Sequence, residues 1–271
     1  MSKRLKKITL ALLAAMIGIS CVWHYAYGTA ELKYFPFNKK DTLKEWKEKI
    51  FHGRVLYEVK PESPKGYLSA RSDKASSGLY YQISFSPKRY PYISWSWKVG
   101  RFPSKAQSKD ISKKSWIERD DYAVRVYVIF PAFIFTNTRC IEYIWAEGLP
   151  RGTVLTSPFY KNIKLIILES GSEKLGEWVL EERNIADDYR LAFGKLPGGN
   201  VGAIALMSDA DNTQSSCEGY YADIKVGYPQ PILQPAKVEE ERKLKPKKGI
   251  SEFLEYIKRM LRWVKRGELL R

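Results

Sequence analysis

The chain has 271 residues, enough for one large domain or two small ones with a sizeable core. Its formal net charge of +16 gathers at the ends: residues 1–28 carry +4 and residues 229–271 carry +6, leaving +6 for the 200 between. That middle has no basic stripe with interleaved aromatics, which argues against a nucleic-acid partner; the absence of CxxC, HExxH, Walker and GxGxxG patterns argues against zinc sites and common nucleotide enzymes.

Taken in chain order, "MSKRLKK" and "ITLALLAAMIGISCVW" form a positive n-region and an apolar stretch. "AYG" and "GTA" then offer small residues for cleavage near Gly28 or Ala30. Residues 1–28 are expected to be a signal peptide or, uncleaved, an N-terminal anchor in the inner membrane; Cys21 raises lipidation as a third form. Each would place the rest of the chain in the periplasm. "NKKDTLKEWKEKIF" reads as a short helix or a capped turn, with Asp41 or Thr42 as N-cap.

From there the pattern becomes β. Nine short runs, from "RVLYEVK" to "GYYADIKVG", are rich in β-branched and aromatic residues and bounded by Gly, Pro, Ser, Asn or Asp. "YISWSWKV" alternates, with Ile93, Trp95, Trp97 and Val99 on one face, as a half-buried strand does. "NIADDYRLAFG" is a helical interruption with a Gly stop. The expected fold is all-β: an antiparallel, jelly-roll-like β-sandwich over residues 29–228 with one short helix. Residues 229–249 read as a Pro-rich charged linker. Residues 250–271 read as an amphipathic helix, with Lys258, Arg259, Arg262, Lys265 and Arg266 on its basic face. Such a helix suits a membrane surface or a partner protein; packing back on the sandwich is the alternative.

Several stretches carry the chemistry. "SDADNTQSSC" crowds acids around a turn, with Asp209, Asp211 and Thr213 at alternate positions. Three readings stay open: a turn closed by its own side chains, a calcium site built on those three residues, or the rim of a ligand pocket. Arg125 stands alone in an apolar run, so it faces outward or is buried and paired, with Asp120, Asp121, Asp187, Asp188 and Asp209 as candidate partners. On a concave face it would clamp an acidic sugar or other carboxylate. Tyr143 and Trp145, with Trp178, Tyr220 and Tyr221, are candidates to stack on sugar rings, or are core. Cys140 and Cys217 either pair, closing a loop worth roughly 4 kcal/mol, or pack as two buried thiols. With His24 in the targeting segment, His52 is the remaining imidazole, so carboxylates such as Glu142, Glu147, Glu169, Glu177, Glu181 and Glu182 would have to carry any hydrolysis.

"ISWSWKV", "DDYAVRVYVIF", "EYIWA", "ESGSEKLGEWVLEERNIADDYRLAFG" and "MSDADNTQSSCEGYYADI" together resemble a family of exported bacterial proteins known as domain-of-unknown-function family 3047. The resemblance spans roughly residues 92–227 and implies no activity. The final strand is also similar to the closing strand of galactose-binding-like jelly rolls in carbohydrate-binding modules. The resulting expectation is a non-catalytic binder of a glycan or other envelope ligand, through Arg125, Tyr143, Trp145, Asp209, Asp211 and Asn212. A carboxylate-based hydrolase or lyase, and an envelope scaffold docked through residues 250–271, are the alternatives.

Overall fold

The computed structural model describes residues 31–61, 65–104, 120–229 and 255. The expected targeting segment, the linker and nearly all of the C-terminal segment lie outside the described residues. So does most of the polar excursion before Asp120. Among the described residues no helix is long and apolar enough to cross a membrane.

Among the described residues thirteen strands fold into two sheets. The first strands are β1 (Lys33–Phe35), β2 (Lys47–His52), β3 (Leu56–Lys60), β4 (Tyr67–Asp73), β5 (Ser76–Phe85) and β6 (Tyr92–Arg101). Next come β7 (Arg125–Phe130), β8 (Arg139–Ala146), β9 (Val154–Thr156), β10 (Ile163–Ser170) and β11 (Val179–Asn184). A helix, α1 (Ile185–Phe193), precedes β12 (Val201–Asp209) and β13 (Ser216–Tyr228). One sheet runs β11-β6-β13-β4-β3, with β1 also on β13; the other runs β2-β5-β12-β7-β8-β10-β9. The fold is the expected jelly-roll-like sandwich, with one departure from antiparallel order: β8 and β10 pair in parallel.

The core lies between the sheets because the strands alternate. Ile93, Trp95, Trp97 and Val99 of β6 are all fully buried. They meet Ile141, Tyr143 and Trp145 of β8, with the Trp95 ring tilted against that of Tyr143 at 5.1 Å and the Trp97 ring against that of Trp145 at 6.2 Å. The expected helix α1 is present; the Asn184 side chain accepts from Ala186 N and Asp187 N, and Gly194 closes it at φ 71°. Of the short helix or capped turn expected at residues 38–51, the structure has a 3₁₀ turn (Lys40–Glu45) without a side-chain cap, and the second half is strand β2. Trp46 explains the difference: it packs at 4.8 Å on Phe35, and this burial outweighs the helix propensity of the charged residues around it.

Of the two alternatives for Cys140 and Cys217, the structure has two buried thiols: both are free and buried. Cys217 packs between the sheets, whereas Cys140 faces outward from β8 into a separate apolar cluster with Ile129, Ile144 and Ile163. The period-2 alternation of two strands in different sheets has sent the two thiols to different layers.

Candidate functional site

Outward-facing residues of β5, β7, β8 and β12 line a cavity of about 80 Å³ on the outer face of the seven-stranded sheet. On this measure a water takes roughly 10–15 Å³, so about six waters fit, equivalent to a single sugar-sized ring. Phe51, Tyr80, Ile129, Phe159 and Ile163 form its apolar wall. Arg125, Asp120, Glu142, Asp209, Asp211 and Asn212 form its polar end.

Arg125 organises that end. It is only 3% exposed. Its Nε donates to Asp209 Oδ1 at 3.0 Å, one terminal nitrogen to Asp209 Oδ2 at 2.5 Å, and the other to Glu142 Oε1 at 2.8 Å. The Asp120 carbonyl and the Tyr127 hydroxyl accept the remaining hydrogens, and the Asp120 carboxylate lies 3.6 Å away. The Tyr122 ring sits 4.7 Å below the guanidinium. Burial disfavours the charge, but Asp209, Tyr127, Asp120 and Glu142 together raise the Arg125 pKa well above its ordinary value. Arg125 is therefore a fixed cation. All five of its donors are engaged, so the expected clamp on an acidic ligand does not exist: an anion would have to displace these partners.

Glu142, by contrast, has capacity to spare. Tyr127 donates its hydroxyl to Glu142 Oε1 at 2.9 Å; burial, then Glu142, raise its pKa and keep that proton in place. Glu142 Oε2 accepts no hydrogen bond among the described residues. Asp121, Asp209 and Asp211 bring carboxylate oxygens within 4.8 Å of one another. Burial raises the pKa of Asp121 and, more strongly, that of Asp209.

The acidic turn is held by hydrogen bonds of its own and borders the cavity. Asp121 accepts from Asn212 N at 3.2 Å and Thr213 N at 2.5 Å, tying the turn to the segment that leads into β7. Gln214, at φ 51°, bonds back to the Asp211 carbonyl at 2.6 Å. Of the residues named for calcium, Asp209 and Asp211 lie with Asp121 in one cluster of carboxylate oxygens, while the Thr213 hydroxyl shares a hydrogen bond with that of Ser215 within the turn.

Of the expected site residues, Arg125, Asp209, Asp211 and Asn212 come together at the cavity. Tyr143 and Trp145 do not: both are fully buried on the opposite face of β8. Tyr143 donates to Asp188 at 2.8 Å, and the Trp145 indole to the Gly171 carbonyl at 3.1 Å. Asp187 and Asp188 pair with Arg190 and Arg183 rather than Arg125. Sequence reasoning overlooked Glu142 as an Arg125 partner, and Tyr80 and Tyr127 as lining. The signal was the alternation itself, since Glu142 lies out of phase with Tyr143 and Trp145 and therefore faces the other way.

Of the other acids, Glu181 stands apart, on the edge strand β11. Burial, reinforced by Glu169, pushes its pKa up to about 7, and its Oε1 has no partner among the described residues. A register shift in β10 after Ile167 sets Glu169 opposite Trp145. A carboxyl raised from 4.5 to about 7 penalises folding fully above pH 7 and not at all below the unfolded value. Glu181→Gln should therefore raise the unfolding temperature above pH 7, by an amount corresponding to on the order of 2 kcal/mol, and have little effect near pH 4. Thermal melts across pH 4–9 check this, and an unchanged pH profile would contradict it.

The family described as "Protein of unknown function (DUF3047)" matches residues 44–225, most of the described domain and all of the cavity. The chain belongs to this family. No curated protein matches it. Among solved structures, this DUF3047 member is similar to a carbohydrate-binding module, TmCBM27, studied for specific mannan recognition (TM-score 0.34, 8% identity, 74% of this chain and 98% of that one). It is also similar to the xyloglucanase domain of NopAA, a type three effector from Sinorhizobium fredii, in complex with cellobiose (0.40, 11%, 74% and 99%). A third is a protein of unknown function with a galectin-like fold from Bacillus subtilis (0.33, 11%, 74% and 97%). None of the three reaches a TM-score of 0.5, so the chemistry of the DUF3047 cavity is read from its own residues.

Proposed function

We propose that the protein binds a neutral saccharide, one ring of which enters the cavity on the seven-stranded sheet, without cleaving it. The observation that carries this reading is the acceptor excess beside an apolar wall. Arg125 has no donor to offer, whereas Glu142 Oε2 is a spare acceptor at the polar end. Hydroxyl groups of a sugar donate to such oxygens, and its C–H face packs on Tyr80 and Phe51. An anionic ligand meets carboxylates and is repelled. The N-terminal pattern of residues 1–28 supports a site of action outside the inner membrane, on envelope or imported glycans.

The test is thermal unfolding of the purified protein against neutral gluco-, manno- and xylo-oligosaccharides. At a hundred times the dissociation constant, a ligand stabilises by about 2.7 kcal/mol, a rise of roughly 5–10 °C. Tyr80→Ala and Ala205→Phe, which strips the wall and fills the floor respectively, should abolish the rise. A shift unaltered by both variants would remove the cavity from the reading. The second reading, a carboxylate-based hydrolase, is favoured by the convergence of Glu142, Asp120 and Asp209 on one cavity. New reducing ends that disappear in Glu142→Gln would replace binding with hydrolysis.

A further inference from the structure

The outer face of the six-stranded sheet carries a different arrangement. Trp178, just before β11, meets Tyr67 of β4 at 5.9 Å and Tyr220 of β13 at 6.4 Å, and the two tyrosines meet at 5.7 Å, all edge to face. Trp178 is 42% exposed, whereas the other described tryptophans (Trp46, Trp95, Trp97 and Trp145) are buried. Gly100 makes the arrangement possible: a Cβ there would lie 2.9 Å from Tyr220 Cε2, so only glycine lets that ring lie across β6. A second aromatic pair, Tyr92 and Tyr228, stacks at 5.5 Å on the same face. Six residues of β6 separate Tyr92 from Lys98, about 20 Å at a strand's rise. Between the two clusters β6 and β13 present Ser94, Ser96 and Ala222, small side chains flanked by Asp223 and Lys225 of β13.

On this face Glu58 is taken by Lys60 and Arg71 and Asp223 by Lys65, while Glu182 accepts from Tyr228 at the far end of the strip. Burial, then Glu218, raise the pKa of Tyr220, so its hydroxyl stays protonated beside that carboxylate. Two lysines are left over. Lys98 Nζ lies 4.5 Å from the Tyr220 ring and 5.1 Å from that of Trp178, and Lys225 lies over Tyr34 at 5.7 Å. Neither has a carboxylate in ion-pairing range among the described residues.

We infer that this face is a second binding surface, for an acidic saccharide. A uronate ring laid on Trp178 and Tyr220 rests its C–H face on the indole and brings its carboxylate to Lys98. The next rings run along the Ser94, Ser96 and Ala222 floor toward Tyr92, past Lys225. The two faces of the sandwich thus differ in kind: one is an acceptor-rich cavity, the other an aromatic strip with unpaired cations. The second does not depend on the first.

The experiment is a titration of the full chain with oligogalacturonate and with its methyl-esterified form, followed by isothermal calorimetry, whose signal does not depend on Trp178. The acidic oligomer should bind saturably. Methyl esterification, Lys98→Gln and Trp178→Ala should each weaken binding about tenfold or more. Ala205→Phe, in the cavity, should leave it unchanged. Equal binding of the acidic and esterified oligomers, or indifference to Lys98→Gln, would overturn the charge argument and with it the proposal. No saturable binding would overturn it too, as would a change in sedimentation on Trp178→Ala, which would assign the strip to contact between copies of the chain.

Discussion

Arg125→Met should destabilise the protein by about 3–5 kcal/mol, because it leaves Asp209, Glu142 and Asp120 buried without their cation. For a domain of this size the expected fall in unfolding temperature is roughly 10 °C or more. Arg125→Lys should recover only part of this, since an ammonium cannot span Asp209 and Glu142 as the guanidinium fork does. The pH dependence has a definite sign. Arg125 is the nearby group that lowers the Asp209 pKa, so its loss raises that pKa further. A carboxyl whose folded pKa exceeds its unfolded value opposes folding at high pH and ceases to once protonated in both states. The deficit of the Met variant is therefore full at neutral pH and narrows on acidification. Adding Asp209→Asn to it should return part of the lost stability at pH 7, as a double-mutant cycle would show. A deficit that does not vary with pH would mean that Arg125 acts by packing alone.

Trp145→Ala should cost about as much, roughly 3–5 kcal/mol, for a different reason. It empties the contact with Trp97 and deprives the Gly171 carbonyl of its donor. Because Trp145 lies between the sheets and not in the cavity, ligand affinity per folded molecule should stay unchanged. Calorimetric binding measured below the lowered melting temperature separates the two effects. A loss of affinity without loss of stability would restore Trp145 to the site.

These two residues also mark how far the sequence could be read. The nine long strands were legible because each alternates or runs apolar between Gly, Pro or Asp punctuation. Strand β4 was not, because "YLSARSD" places Ser69 and Ser72 in buried positions where the pattern reads loop. Strands β1 and β9 are three residues each, too short to show a period. Arg125 was legible as a lone charge among apolar neighbours, and Asp120 and Asp209 as its partners. Glu142 was not, since a single acid on a strand looks the same whether it is solvated or paired. The aromatics were misassigned because composition does not reveal phase. Tyr143 and Trp145 are one residue from facing the cavity, and in a strand one residue is the whole difference.

The order in which the domain can be completed follows from the place of β13. It is the last strand among the described residues, yet it pairs with β1, β4 and β6 and holds the middle of its sheet. Strands β6 and β4 have no direct partnership in that sheet until β13 enters between them. A chain emerging from its N-terminus therefore carries the halves of this layer as open edges until nearly all of the domain is out. Closure of the sandwich is a late, long-range event, slow by topology and concentrated in one step. The arrival of residues 216–228 is what ends that delay.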